Sequence, residues 1–384
     1  MDGIARSVTA RGFEAERVAS ELVSGLRPTN GDDLRLVVAF VDWRIDTAAF
    51  ARSMQQALPA PVVGCTTIGV IGGNGEAPSA AAIGFYGDWV RVGIGIATEL
   101  PKSALARSRD AVHAAATALG TTAHALDSAR HVGFTLVDGS SGHEEAFCIA
   151  SAATAPQIRV VGGSAATEVG AKDRRAYVFA NGEALADAGV VVLLETKRPF
   201  EAITSQHMVA TAVKTVVTAA AGRAIVELDG RPAAERLREL VAELGGTIDP
   251  TTPSEFAFAR FVDGVPYLRS IVGIQDRRVL LACAVEEGHV LRLMRPGDLI
   301  GQTQKDLAAT AERIGGKISA LLAFSCIGRH WEAAARGVDK KLAEAYAAYP
   351  TIGFQSFGEQ TGMLLVNHTL TGLAIGAAPP AADE

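Results

Sequence analysis

The chain is poor in cysteine, in aromatic residues and in charge. Its four cysteines, Cys65, Cys148, Cys283 and Cys326, are far apart and form no Cys-x-x-Cys pair. That argues against a zinc ribbon, a disulfide framework or covalently attached haem. No run approaches the roughly 20 unbroken apolar residues of a membrane-spanning helix. Residues 1–9 lack the apolar stretch and cleavage site of a signal peptide, so a cytoplasmic protein is expected. Lys and Arg number 36 against 42 Asp and Glu, for a net charge of −6, and they form no block. A nucleic-acid partner needs a concentrated basic face and is therefore disfavoured. The glycine-rich stretch 71–75 has neither the G-x-G-x-x-G spacing nor the Lys-Ser/Thr of a phosphate cradle, and reads as a hairpin connection. Gly139-Ser140-Ser141-Gly142 is not a nucleophile elbow and reads as a helix start.

What the chain has is a 48% hydrophobic composition over 384 residues, enough for two or three domains, and an internal repeat. Three stretches share one pattern: Val62-Val63-Gly64-Cys65-Thr66-Thr67, Val160-Val161-Gly162-Gly163-Ser164-Ala165 and Thr351-Ile352-Gly353-Phe354-Gln355-Ser356. Each reads as a buried strand ending at a glycine-lined turn. Each is preceded by an apolar strand (34–41, 131–137, 319–324), a polar turn and a helix, and followed by a hairpin. Such a unit is most simply a right-handed parallel crossover. The predicted fold class is therefore α/β, or mixed α+β. Repeated βαβ-plus-hairpin units form mixed sheets flanked by helices, in two domains, residues 31–221 and 222–376. Between the second and third units, residues 200–211 read as one strand-like run. Residues 256–261, 268–274 and 279–284 read as antiparallel strands, 301–314 as a helix, and the small-residue tail 377–384 as frayed.

At these residues the chain resembles the FIST family of bacterial sensory proteins, which have an N-terminal and a C-terminal domain. The stretches that carry the likeness are Gly64-Cys65-Thr66-Thr67-Ile68-Gly69, Gly162-Gly163-Ser164, Leu228-Asp229-Gly230-Arg231-Pro232, and the pair Phe324-Ser325-Cys326-Ile327-Gly328-Arg329 with Gly353-Phe354-Gln355-Ser356-Phe357-Gly358-Glu359. The chain departs from the family's pattern at His330-Trp331 and at Val366-Asn367-His368-Thr369. The resemblance implies a non-enzymatic protein that binds a small ligand, such as an amino acid, for a signalling partner, a histidine kinase or a cyclic-di-GMP enzyme. One stand-alone branch binds haem b and senses nitric oxide, and this is the function the resemblance favours for the chain, with an amino acid or other small metabolite bound by the C-terminal domain as the alternative. By likeness to it, Thr204-Ser205-Gln206-His207 makes His207 the candidate iron ligand, with Met208 in the apolar wall. A satisfied core histidine is the plainer reading of the same residue.

The second candidate site is Ser325, Cys326, Arg329, Ser356 and Glu359, at the strand ends where α/β sheets bind ligands. Arg329 suits a carboxylate and Glu359 an ammonium, and an amino acid carries both. An internal Arg329–Glu359 ion pair explains the same residues equally well. A thiolate–imidazolium pair of Cys326 and His330, acting as a Cys-dependent hydrolase, is a third reading; an inert buried Cys326 competes with it.

Overall fold

In the computed structural model, which describes residues 4–28, 33–73, 77–170, 175–248 and 256–377, the three repeats form three modules of one design. The connection read at 71–75 and the tail from 378 onward lie partly or wholly outside these residues. In the first module the strand Leu34–Asp42 runs through the helix Thr47–Ala57 into the parallel strand Val62–Thr67. In the second, His131–Asp138 runs through Glu144–Thr154 into Arg159–Ala165. In the third, Ile318–Cys326 runs through two short helices, Ile327–Ala335 and Asp339–Ala347, into Thr351–Ser356.

Each pair is extended in the same way. A returning strand (Ala80–Tyr86, Gly189–Thr196 or Thr369–Gly376) pairs antiparallel with the first strand. An edge strand (Ala5–Ala10, Val90–Ala97 or Phe200–Gln206) pairs with the returning one. Residues 5–10, unassigned from the sequence, thus complete the first sheet. The modules are also laced in a ring. After its second parallel strand, each gives a short strand to a neighbour. Val70–Gly72 of the first pairs with Thr351–Ser356 of the third, Val178–Ala180 of the second with Val62–Thr67 of the first, and Glu359–Thr361 of the third with Arg159–Ala165 of the second.

The glycines of the repeat do not sit at turns, as the sequence suggested. Gly64, Gly162 and Gly353 lie inside the second strands, in register with Ala39, Thr135 and Ala323. A Cβ at any of the three would collide with the backbone carbonyl oxygen of that partner. Glycine is there because two backbones approach closely. The strands read as nearly unbroken apolar runs because each sheet is covered on both faces. The inner faces share one core, in which Phe40 and Phe354 stack at 4.8 Å between ring centroids and Phe324 meets Phe354 at 5.6 Å. The outer faces pack on their own helices.

Only the third module is interrupted. Between its edge strand and the helix Leu299–Arg313 stands an antiparallel barrel. Its strands, in order of pairing, are Val209–Ala221, Val290–Arg295, Ala257–Val262, Val265–Gln275, Arg278–Leu281 and Ala224–Leu228, and the last pairs with the first to close the ring. The helix Ala233–Ala242 packs its leucines into the barrel's apolar core. The run read as 200–211 breaks at His207 and Met208, where the chain leaves the module sheet for the barrel. The boundary read at 221/222 falls inside the barrel, and strand pairing links the two parts through Phe200–Gln206 and Val70–Gly72. No helix among the described residues is long and apolar enough to cross a membrane.

Candidate functional site

The C-terminal ends of the third module's parallel strands meet the barrel across a seam of buried polar side chains. The sequence read 325–329 as a turn. Instead, the strand runs to Cys326 and a helix begins at Ile327, so Arg329 lies in the first helical turn. Its side chain is 0% exposed. The guanidinium donates to Thr303 Oγ1 at 2.6 Å and lies 3.5 Å from His207 Nδ1, and its Nε has no partner. Among the described residues no carboxylate forms an ion pair with it, so the Arg329–Glu359 staple is not formed. An unmatched buried charge is costly, and this one is the main electrostatic feature of the seam.

One turn on, Glu332 reaches His207 Nε2 at 2.7 Å and accepts from Arg336 at 2.6 Å. Because the Arg329 guanidinium can only donate, His207 Nδ1 is its acceptor and the ring proton sits on Nε2, facing Glu332. Burial pushes the His207 pKa down, and it stays neutral. Glu332 is held below the usual carboxylate range by His207 and Arg336 despite its burial.

Glu359 opens the strand that the third module gives to the second. It is fully buried, accepts from Ser356 Oγ at one oxygen, and from Thr369 Oγ1 (2.5 Å) and Thr369 N (3.3 Å) at the other. Burial raises its pKa to about 8 against the lowering effect of these donors. Ser356 and Glu359 are thus brought together, with Arg329 close enough for its charge to be felt. Ser325 points the other way, bonded to Tyr346 Oη at 2.9 Å. Cys326 is buried and its pKa is raised well above the ordinary thiol value by desolvation. His330 is pressed against the Tyr346 ring at 6.4 Å, with Nε2 unpartnered and its pKa down to about 3 through burial and the Arg329 charge. No hydrogen bond joins Cys326 to His330, and both are held in their neutral forms, so the arrangement lacks an activated thiolate.

Sequence reasoning missed Glu332, Thr303, Ser270 and His368. The spacing of Arg329 and Glu332 on one helical face was the available signal for Glu332. His368 has a left-handed backbone (φ 52) and bonds Ser270 Oγ of the barrel at 2.6 Å. Its ring packs on Gly328, where a Cβ would stand 2.8 Å from it, which is why that position is glycine. Asn367 continues the seam, with Oδ1 2.8 Å from Cys283 Sγ.

A haem would need an imidazole nitrogen free for iron and an apolar slot for the porphyrin. Both ring nitrogens of His207 are engaged, and Arg329, Glu332 and His368 surround the ring. Met208 packs on Ala257, Ala259, Leu268 and Met294 of the barrel. The residues at His207 do not fit a haem. Two surface clefts, of about 860 and 510 Å³, lie elsewhere and touch none of the candidate residues.

Three laced βαβ modules with a barrel inserted into the third, and a buried polar seam between module and barrel, define a mixed α/β protein of two parts. The FIST N domain matches residues 35–231 and the FIST C domain residues 233–361, and the chain belongs to the FIST family. FIST domains are small-ligand sensory domains of signalling proteins. Among solved structures, a cyanuric acid hydrolase from A. caulinodans is similar over 97% of this chain and 99% of its own, with 10% identity and a TM-score of 0.43. No curated protein sequence matches the chain.

Proposed function

We propose that this protein is a non-enzymatic sensor of an amino acid or a similar small zwitterion. It binds at the seam between the third module and the barrel and reports its state to a separate histidine kinase or cyclic-di-GMP enzyme. The observation that carries this reading is Arg329, a fully buried guanidinium with an unpartnered Nε and, among the described residues, no carboxylate in ion-pair contact with it. A ligand carboxylate would supply the missing counter-charge, and Arg329 offers the planar donors that such a group fits. Glu359, protonated in its buried setting at neutral pH, would ionise beside a ligand ammonium. Entry requires the seam to part. Occupancy is thereby tied to how the barrel sits on the module, the kind of two-state element that a partner reads.

The test is thermal unfolding with each of the common amino acids. A ligand at 100 times its Kd adds about 2.7 kcal/mol, a rise of several degrees for a protein of this size. The rise should vanish in Arg329→Gln and Glu359→Gln. No amino acid raising the midpoint, or an unchanged rise in Arg329→Gln, would overturn the proposal. The competing ligand is haem b with nitric oxide as signal and His207 on iron. A Soret band that survives desalting and is lost in His207→Ala would establish it instead.

A further inference from the structure

The barrel contains a second guanidinium without a counter-charge. Arg269, on the strand Val265–Gln275, stands in register with Phe258, which in turn stands in register with Leu293. Residues directly opposite on paired strands share a face, and Phe258, Leu293 and Ile271 all belong to the barrel's apolar core. Arg269 therefore points inward. Its neighbour Ser270 points outward, to His368 across the seam. Arg269 is 8% exposed, and neither its Nε nor its Nη1 has a partner. Among the described residues no carboxylate pairs with it. The acids around its neighbours Cys283 and His289 are engaged elsewhere: Glu145 accepts from the backbone N–H of Ala284 at 2.8 Å, Glu359 from Ser356 and Thr369, and Glu286 faces His289 at 3.5 Å, and none pairs with Arg269. Its charge is felt by Cys283 and His289, which bring no negative charge of their own.

We infer that Arg269 marks a second ligand position, inside the barrel, for a small monocarboxylate with a short apolar tail. A carboxylate cancels one guanidinium charge and offers two acceptor oxygens to the unpaired N–H groups. The apolar wall of Phe258 and Ile271 suits the tail. A phosphate dianion would leave surplus charge against that wall, which desolvation disfavours. This position does not depend on the seam ligand, and the two are separable by their arginines.

The experiment uses the full chain and sodium acetate, sodium butyrate and sodium phosphate, each matched to sodium chloride at equal ionic strength. Butyrate should raise the thermal midpoint by several degrees over chloride, with acetate weaker. The rise should disappear in Arg269→Met and persist in Arg329→Met. Equal midpoints in butyrate and chloride, stabilisation by phosphate alone, or a butyrate effect that survives Arg269→Met would each overturn the inference. Should Arg269→Met fail to fold, arginine-labelled wild type provides the readout. One Nε–H resonance, absent in Arg269→Lys, should move on titration with butyrate; a spectrum that does not move refutes the site.

Discussion

Glu359 gives the sharpest quantitative test of the seam. In the unfolded chain its carboxyl titrates near the ordinary glutamate value of 4.5, and in the folded protein burial raises this to about 8. Between these two values the unfolded chain has released the proton while the folded protein retains it. The stabilising contribution is thus fully present below pH 4.5 and is lost as pH rises through 8. The slope is about 1.4 kcal/mol per pH unit while the proton numbers differ by one, so roughly 4 kcal/mol disappears between pH 5 and 8. Glu359→Gln keeps the shape and neutrality of the protonated acid. Its amide oxygen can accept from Thr369 and its amide nitrogen can donate to Ser356 Oγ, the partners Glu359 has now. Urea unfolding at half-unit steps from pH 5 to 8.5 should show wild type losing stability relative to Glu359→Gln by about that total. Parallel profiles would mean that Glu359 is already ionised at pH 5, most simply by Arg329, and the zwitterion pocket would lose its proton-linked half. If the pocket is as proposed, amino-acid binding at pH 7 releases a proton. Calorimetry in two buffers of different ionisation enthalpy should then give different apparent heats.

Gly64→Ala, Gly162→Ala and Gly353→Ala should each destabilise by about 1–3 kcal/mol, the cost of overpacking, because each drives a methyl into the same carbonyl contact; a neutral result at any one would break the equivalence of the modules. Tyr346→Phe and Ser325→Ala should each cost about 1 kcal/mol through their shared hydrogen bond, measured by urea unfolding, and leave any amino-acid response intact, since that bond lies on the helix side of the sheet. Wild type and Cys326→Ala should both leave thioester and amide substrates unturned, since burial holds the Cys326 thiol protonated; turnover by wild type that the variant loses would reinstate the hydrolase reading.

Most of the module design was legible because its signals are local and redundant. Strands such as 34–41 and 131–137 are long apolar runs, their parallel pairing follows from the helix between them, and the glycines mark equivalent points. The lacing of the ring was not legible. Val70–Gly72, Val178–Ala180 and Glu359–Thr361 are only three residues each, and a strand that short carries no periodicity to read. Their partners lie between 113 and 284 positions away in sequence, as the pairing of Cys65 with Val178 and of Val70 with Phe354 shows. The glycines were misplaced for a related reason. Glycine signals both turns and close backbone approach, and only the register of the neighbouring strand separates the two. At the seam, Ser356 and Glu359 were read together and are hydrogen-bonded, with Arg329 near enough for its charge to reach Glu359. Ser325 was not separable from Cys326 by composition, yet adjacent strand residues face opposite sides of a sheet, which sent one to Tyr346 and the other to the seam. His207 drew attention as an isolated histidine in an apolar run. Its carboxylate, Glu332, comes from 125 residues away, beyond any local signal.

Comparing the modules shows what the third gave up to acquire its seam. The first strand ends in register at Asp42, Asp138 and Cys326. Asp42 accepts from the backbone and side chain of Arg44. Asp138 accepts from Ser140 N at 2.8 Å, Ser140 Oγ at 2.6 Å and Asp187 N at 2.7 Å. In these two modules a buried carboxylate organises a turn before the helix starts. Cysteine cannot act in this way, and in the third module the helix begins at the next residue, which swings Arg329 and Glu332 towards the barrel. The strand-end residue should therefore bear very different weight in different modules. Asp138→Ala removes the acceptor of three hydrogen bonds, two from backbone N–H groups and one from a hydroxyl, and should cost about 3–5 kcal/mol. Cys326→Ala removes one sulfur atom from a packed site and should cost about 1 kcal/mol. Urea unfolding of the two variants measures the difference. Equal losses would mean that the cysteine position is as structural as the aspartates, and that the third module's early helix start has another cause.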